Sequence, residues 1–163
     1  MDEFQVSRRN VFENWVDRDS HGLEIGPSYR PTFPKAQGWQ VLVVDHCDTA
    51  ELVAKFRADP NVPSFMIDQI EPVDLVSSGA TYSDIPGTPY NLDFVVACHV
   101  IEHTMDLIGF FNGMSDIVRL DGLLMLAIPS AHLSFDFYRP LSTLGDVIMA
   151  HRAPAEYLSL IHI

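Results

Sequence analysis

Between Ala97 and Leu107 the chain crowds together groups that can hold a proton or a metal: Cys98, His99, Glu102, His103 and Asp106. His99-Val100-Ile101-Glu102-His103 reads HxxEH. On one continuous helix, two histidines four residues apart share a face and can bind zinc beside a glutamate base. The flanking residues point to a different local geometry. Asp93-Phe94-Val95-Val96-Ala97 is a short apolar run of the kind buried inside a parallel sheet. Cys98 and His99 therefore fall at the carboxyl end of a strand, where ligands of open α/β sheets bind. Asp106 has the type and position to cap a helix starting near Leu107, which leaves little room for a helix through 99–103. A third pattern, with His99 and His103 hydrogen-bonded at a packed turn, fits the same residues.

A second constellation lies upstream. His21-Gly22-Leu23-Glu24-Ile25-Gly26 reads as a strand ending in a glycine turn, and Val41-Leu42-Val43-Val44-Asp45 as a strand ending in an acid. Asp45 stands nineteen positions beyond Gly26. A glycine after the first strand lets the backbone approach a ligand, and an acid after the second can take both hydroxyls of a ribose. Pyrophosphate needs several glycines at a helix amino terminus. Here Gly26 is followed by Pro27, Ser28, Tyr29, Arg30 and Pro31, a bulky turn. A nucleoside with a cationic amino-acid tail and no phosphate suits Glu24 and this turn better than a dinucleotide.

The elements that must position these groups alternate strand with crossover. Residues 4–18 have helical spacing of Phe4, Val11, Phe12, Trp15 and Val16 and predict an amphipathic helix on the domain edge. Asp48 or Thr49 starts a helix running to about Arg57, and Pro60 and Pro63 make 58–66 a loop. Residues 73–76 form a weaker third strand, and 77–89 a loop rich in Gly, Ser, Thr and Pro. After the strand at 93–97, a helix covers roughly 107–120, Asp121-Gly122 turns the chain, and 123–128 is the fifth strand, stopped by Pro129. This order predicts a single domain of Rossmann-like, doubly wound α/β type: a mostly parallel sheet in three α/β/α layers.

At 163 residues the chain can build one real core, and its 47% hydrophobic and 20% charged residues are ordinary for a globular protein. A formal charge of −12 argues against nucleic acid or an anionic membrane surface as partner. Cys47 and Cys98 form no CxxC pair, and no signal-like or membrane-spanning run stands out, so a cytoplasmic protein with reduced thiols is expected.

Taken together, LEIGP at 23–27, VLVVDH at 41–46, LDFVVACHVIEH at 92–103 and IVRLDGLLMLAIPS at 117–130 make the chain similar to the class I S-adenosylmethionine-dependent methyltransferases. The stretches arrive in that family's order over residues 20–130. The resemblance implies S-adenosylmethionine as cofactor. Glu24, Gly26 and Pro27 would line its methionine and ribose part, Asp45 would hold the ribose hydroxyls, and His46 would lie beside the adenine. Cys98, His99 and Val100 would hold the methionine tail largely through backbone groups. Ser78, Ser83 and Asp84 are the candidates for the adenine pocket, where the family's usual acid has no clear counterpart. The family's third glycine is also missing. Two alternatives remain open on the residues: a non-catalytic domain that binds S-adenosylmethionine, and a zinc hydrolase of HxxEH type.

The resemblance divides the chain into an N-terminal helix (1–20), a cofactor-binding core (21–130) and the start of an acceptor region (131–157). That last region holds His132, Phe135, Asp136, Phe137, Tyr138 and Arg139. Methyl transfer is an in-line displacement in which positioning supplies most of the acceleration, and a base is needed only if the acceptor must lose a proton. His103, His132 and Asp136 are the candidate bases, and no residue is assigned to a metal. The acceptor is expected to be a small molecule, glycan or lipid precursor. The family fold has seven strands and five are read here. The closing residues 158–163 are expected to be a non-native tail, with the natural chain continuing past Tyr157 into a β-hairpin. In its absence the fifth strand would be an exposed edge, open to dimerisation.

Overall fold

Strand-forming runs of Val, Leu and Ile build one five-stranded sheet in the order β3-β2-β1-β4-β5, with every pair parallel. The computed structural model describes residues 3–77, 81–133, 138 and 140–152. The strands are β1 (His21–Ile25), β2 (Gln40–Asp45), β3 (Leu75–Val76), β4 (Leu92–Cys98) and β5 (Val118–Ala127). Helices are α1 (Glu3–Phe12), α2 (Thr49–Ala58), α3 (Ser64–Ile67), α4 (Leu107–Ile117) and α5 (Leu144–Arg152). The expected Rossmann-like parallel α/β architecture is present.

Alternation along β4 sorts its side chains between two cores. Val95 and Ala97 join Leu23, Ile25, Val44 and the α4 residues Phe110, Met114 and Ile117 on one face. Phe94 and Val96 point the other way, to Phe33, Trp39, Val41 and Met125. Residues 94–97 are all 0% exposed, as a strand with both faces covered requires. α2 carries a full capping box: Asp48 accepts from the Glu51 amide, and Glu51 reaches back to the Asp48 amide.

Four boundaries differ from the sequence expectation. The first helix ends at Phe12 rather than near 18, because the Asn14 side chain donates to the Asn10 carbonyl and the chain turns. That turn lets Phe12 and Val16 both reach the second core. Within 58–66, Ser64 opens the short helix α3 directly after Pro63, a residue well suited to a helix start. The third strand is only two residues long; before it the Val73 amide donates to Thr49 Oγ1, and the Val43 amide of β2 to the Asp74 side chain. Finally, α4 stops at Ile117 and β5 begins at once, so Asp121-Gly122 lies inside the strand rather than before it. Val118 pairs with Leu92, and pairing resumes at Leu123 with Phe94, so residues 119–122 bulge from the ladder. A Cβ on Gly122 would lie 2.9 Å from the Leu92 carbonyl oxygen and 3.0 Å from that of Asp93.

Among the described residues β5 pairs with β4 alone, leaving its outer edge open. No described helix is long and apolar enough to cross a membrane. Residues 158–163, on which the expectation of a non-native tail falls, lie outside the described residues.

α5 is tied to the start of α4. Asp106 caps α4 by accepting the Gly109 amide at 2.8 Å, and its two oxygens lie 3.0 and 2.9 Å from His151 Nδ1 of α5. The Gly109 amide, with His151 after it, holds the Asp106 carboxyl below its ordinary value. A carboxyl whose folded pKa lies below its unfolded one stabilises the fold above the ordinary range near pH 4, and that stabilisation is lost as pH falls through the lowered value.

Two predictions follow from this packing. Gly122→Ala should destabilise the protein by about 1–3 kcal/mol in urea unfolding, because the added methyl meets backbone on β4. The urea midpoint of the wild type should drop between about pH 5 and about pH 3, and drop less in Asp106→Asn, which keeps a cap acceptor but has no charge to lose.

Candidate functional site

The segment leaving β1 turns sharply at Gly26, whose backbone is left-handed (φ 58°) and whose amide donates to Val44 of β2 at 2.8 Å. Glycine takes this conformation at no steric cost. Ser28 repeats it (φ 51°). The chain then passes over the sheet and is gripped at Thr32 from three sides. From β1, Glu24 accepts the amides of Thr32 at 2.7 Å and Phe33 at 3.2 Å. From α1, Arg9 Nε donates to the Thr32 carbonyl at 2.8 Å. From β4, Cys98 Sγ lies 3.6 Å from Thr32 Oγ1. Glu24 is 1% exposed, and burial pushes its carboxyl above the ordinary range against the pull of the two amides. With both oxygens engaged, Glu24 acts on any ligand through the position of this loop.

Asp45 closes β2 and is 5% exposed. Its Oδ1 accepts the His46 amide at 2.8 Å and the His46 ring Nδ1. Its Oδ2 is buried and has no hydrogen-bond partner among the described residues. Leaving a buried carboxylate oxygen unmet costs free energy on the order of 1–3 kcal/mol, so the oxygen calls for a donor. A His46 ring that gives its Nδ1 proton to Asp45 offers Nε2 to Lys55 Nζ at 3.4 Å, with Cys47 Sγ 3.5 Å away. Across from this, the turn Tyr82–Asp84 packs against α4. Burial and then the charge of Asp45 raise the Tyr82 hydroxyl above its ordinary value, so this turn stands within the field of Asp45. Ser83 and Asp84 belong to it; Ser78 lies outside the described residues.

Past β4, His99 is left-handed (φ 57°), with its amide donating to Ala127 at 2.9 Å. Val100 reaches toward Gly26: a Cβ there would lie 3.6 Å from Val100 Cγ2. Only Ile101–His103 is helical, as a single 3-10 turn. His99 precedes that turn and His103 ends it, so the two histidines do not occupy successive turns of one α-helix, the geometry an HxxEH zinc site uses. Among the described residues no cluster of three or more His, Cys, Asp or Glu is arranged to hold a metal. His103 is exposed, and its amide donates to Val100. His132 is exposed in the turn Ala131–Leu133, and Asp136 lies outside the described residues.

The structure thus gathers Gly26, Pro27, Asp45, His46, Cys98, His99 and Val100 at the carboxyl ends of β1, β2 and β4. An open hollow of about 380 Å³ between Pro31, Pro34 and residues 68–71 touches none of them. Arg9 and Thr32 were not singled out by sequence reasoning. Arg9 had a readable signal, since it shares a helical stripe with Phe12 and Val16 at spacings of three and four. Replacing Arg9 by Met should strip the buried Thr32 carbonyl of its donor and cost about 2–3 kcal/mol in urea unfolding, with faster amide exchange at Thr32 and Phe33.

No protein-family model matches the chain, and no curated protein matches it. Solved structures do. The glycopeptide N-methyltransferase MtfA complexed with sinefungin superposes with a TM-score of 0.50 at 18% identity, covering 80% of this chain and 56% of that one. A TehB-like SAM-dependent methyltransferase from Corynebacterium glutamicum ATCC 13032 Kitasato gives 0.50 at 9% identity, covering 89% and 70%. The chain spans a little over half the length of MtfA. Together with the five parallel strands and their order, these likenesses show that the chain carries the fold of the class I S-adenosylmethionine-dependent methyltransferases.

Proposed function

We propose that this chain binds S-adenosylmethionine at the carboxyl edge of its sheet and transfers the methyl group to an acceptor. The observation that carries the reading is the buried, unpartnered Oδ2 of Asp45 at the end of β2. A ribose offers adjacent hydroxyl donors, and a carboxylate at this position of an open α/β sheet can accept from them. The surroundings fit the rest of such a ligand. Gly26 presents a side-chain-free backbone next to Val100, so a chain can pass between the ends of β1 and β4. The methionine part would run along Pro27, Cys98, His99 and Val100, with Glu24 holding the facing loop in place. The adenine would lie toward His46 on one side and Ser83 and Asp84 on the other. The bound group supplies an activated methyl on a sulfonium centre; the chain's residues orient it, exclude water and align the acceptor. The two similar solved proteins are named as methyltransferases, and one of them holds sinefungin, an analogue of this cofactor.

The acidic balance of the chain favours a small molecule, glycan or lipid precursor over nucleic acid as acceptor. Calorimetric titration with S-adenosylhomocysteine should show binding, and Asp45→Ala should weaken it by about 1–3 kcal/mol. A folded wild-type sample that takes up no S-adenosylhomocysteine overturns the reading. Binding without transfer to any acceptor would instead favour a non-catalytic cofactor domain.

A further inference from the structure

The turn after β4 carries a histidine backed by a carboxylate. His99 Nδ1 lies 3.4 Å from Glu102 Oε1, and the two side chains are 46% and 23% exposed. His99 holds a left-handed backbone (φ 57°) that β-carbon-bearing residues avoid. The sheet imposes it: the His99 amide donates to Ala127, extending the β4–β5 pairing one residue past the strand. Backbone strain over-determined in this way is characteristic of functional positions. The residue stands beside Val100, and so beside the Gly26 turn. His103 and His132 are exposed, and among the described residues neither shows an ion pair with a carboxylate. His99 therefore combines place, strain and a carboxylate partner.

The charges on this side bear on the acceptor. From Cys98 to Leu133 the only Lys or Arg is Arg119. It pairs with Asp93 at 3.2 Å, at the amino end of the strands and away from the ligand edge. The same stretch carries Glu102 and Asp106 at the carboxyl end of β4. The fixed cations come from the other walls: Arg8 of α1 lies within the field of Cys98 and Glu24, and Lys55 of α2 reaches His46 Nε2 at 3.4 Å. The wall after β4, where His99 stands, carries Glu102 and Asp106 and no lysine or arginine before Arg119, and such a wall attracts an ammonium group more than a carboxylate or phosphate.

We propose that His99, positioned by Glu102, is the base that deprotonates the acceptor, and that the acceptor is an amine. The inference rests on the methyl-transfer reading above. In the step, neutral His99 takes one proton from the acceptor's ammonium, freeing the nitrogen lone pair. That pair forms the new C–N bond to the methyl carbon as the C–S bond breaks, and its electrons stay on sulfur as a neutral thioether. The products are a methylated ammonium and a protonated His99, so charge and atoms balance. His99 is the catalytic residue, and Glu102 is a positioning residue that stabilises the imidazolium.

Sinefungin tests the geometry without knowledge of the acceptor, because it carries an amine at the place of the transferred methyl. Isothermal titration of the wild type should show sinefungin binding about tenfold tighter than S-adenosylhomocysteine, the value of one charge-assisted contact. His99→Asn and Glu102→Gln should each abolish that preference, read as the ratio of the two affinities, and in Glu102→Gln the S-adenosylhomocysteine affinity should stay within about threefold. Equal binding of the two ligands by the wild type overturns the proposal, as does a preference for sinefungin that survives in either variant. Failure of either ligand to bind folded protein counts against the cofactor reading instead. With S-adenosylmethionine and a panel of primary and secondary amines, His99→Asn should lower kcat about a hundredfold near neutral pH. Its rate should recover as pH rises and the amine deprotonates unaided. Transfer to hydroxyl or thiol acceptors with none to amines overturns the amine assignment.

Discussion

One buried carboxylate organises the carboxyl edge of this protein's sheet. Glu24 sits within the second residue from the end of β1, 1% exposed, and uses both oxygens on the amides of Thr32 and Phe33. Burying an acid is costly unless its acceptors are filled, and here backbone donors fill them. The same Thr32 gives its carbonyl to Arg9, itself buried, so the outer helix is joined to the inner strand through a single peptide unit. The loop between β1 and β2 carries no helix longer than a 3-10 turn, yet it is fixed. Phe33, delivered by this clamp, packs on Trp39 and Phe94 with centroids 4.6 and 5.1 Å apart. The second core and the carboxyl edge of the sheet thus depend on the same few contacts.

The site is then a consequence of parallel topology. Parallel strands end together, so the residues that follow β1, β2 and β4 meet at one edge however far apart they lie in sequence. Gly26, Asp45 and His99 are brought there from three separate stretches. Left-handed backbone recurs at this edge, at Gly26, Ser28 and His99, because the chain must turn away from the sheet while leaving its end open. Only the first of the three is a glycine, so the other two positions carry strain that the surrounding hydrogen bonds hold in place.

Much of this was legible in the sequence, and the reasons for success and failure are physical. The strands at 41–45 and 93–97 announce themselves as nearly continuous apolar runs, since a doubly covered strand has no polar face, and the strand at 21–25 by the glycine turn that follows it. Asp45 was readable as the acid that ends β2 from its place after such a run. Asp48 and Asp106 were readable as caps, because capping is local. What local pattern did not carry were the contacts that join distant residues. Arg9 meets Thr32 across 23 positions, and nothing near either residue in sequence specifies the other. Asp121-Gly122 is a turn signal in any context, and local pattern alone does not distinguish a turn from the bulge at 119–122. Apolar spacing continues through Val16 and so predicts a longer first helix, whereas the chain bends after Phe12 and keeps both Phe12 and Val16 on the core. For the HxxEH stretch, the strand before it and the cap after it decided the geometry against a helix, and the structure has a 3-10 turn there.

The central claim is that the unmet Oδ2 of Asp45 is the anchor for a ribose. A crystal structure of the protein with S-adenosylhomocysteine tests it most directly. The account predicts both ribose hydroxyls within hydrogen-bond distance of the Asp45 carboxylate, with the amino-acid tail passing Gly26 toward Cys98 and His99. A ligand seated elsewhere, or one that leaves Asp45 Oδ2 still without a donor, would contradict it.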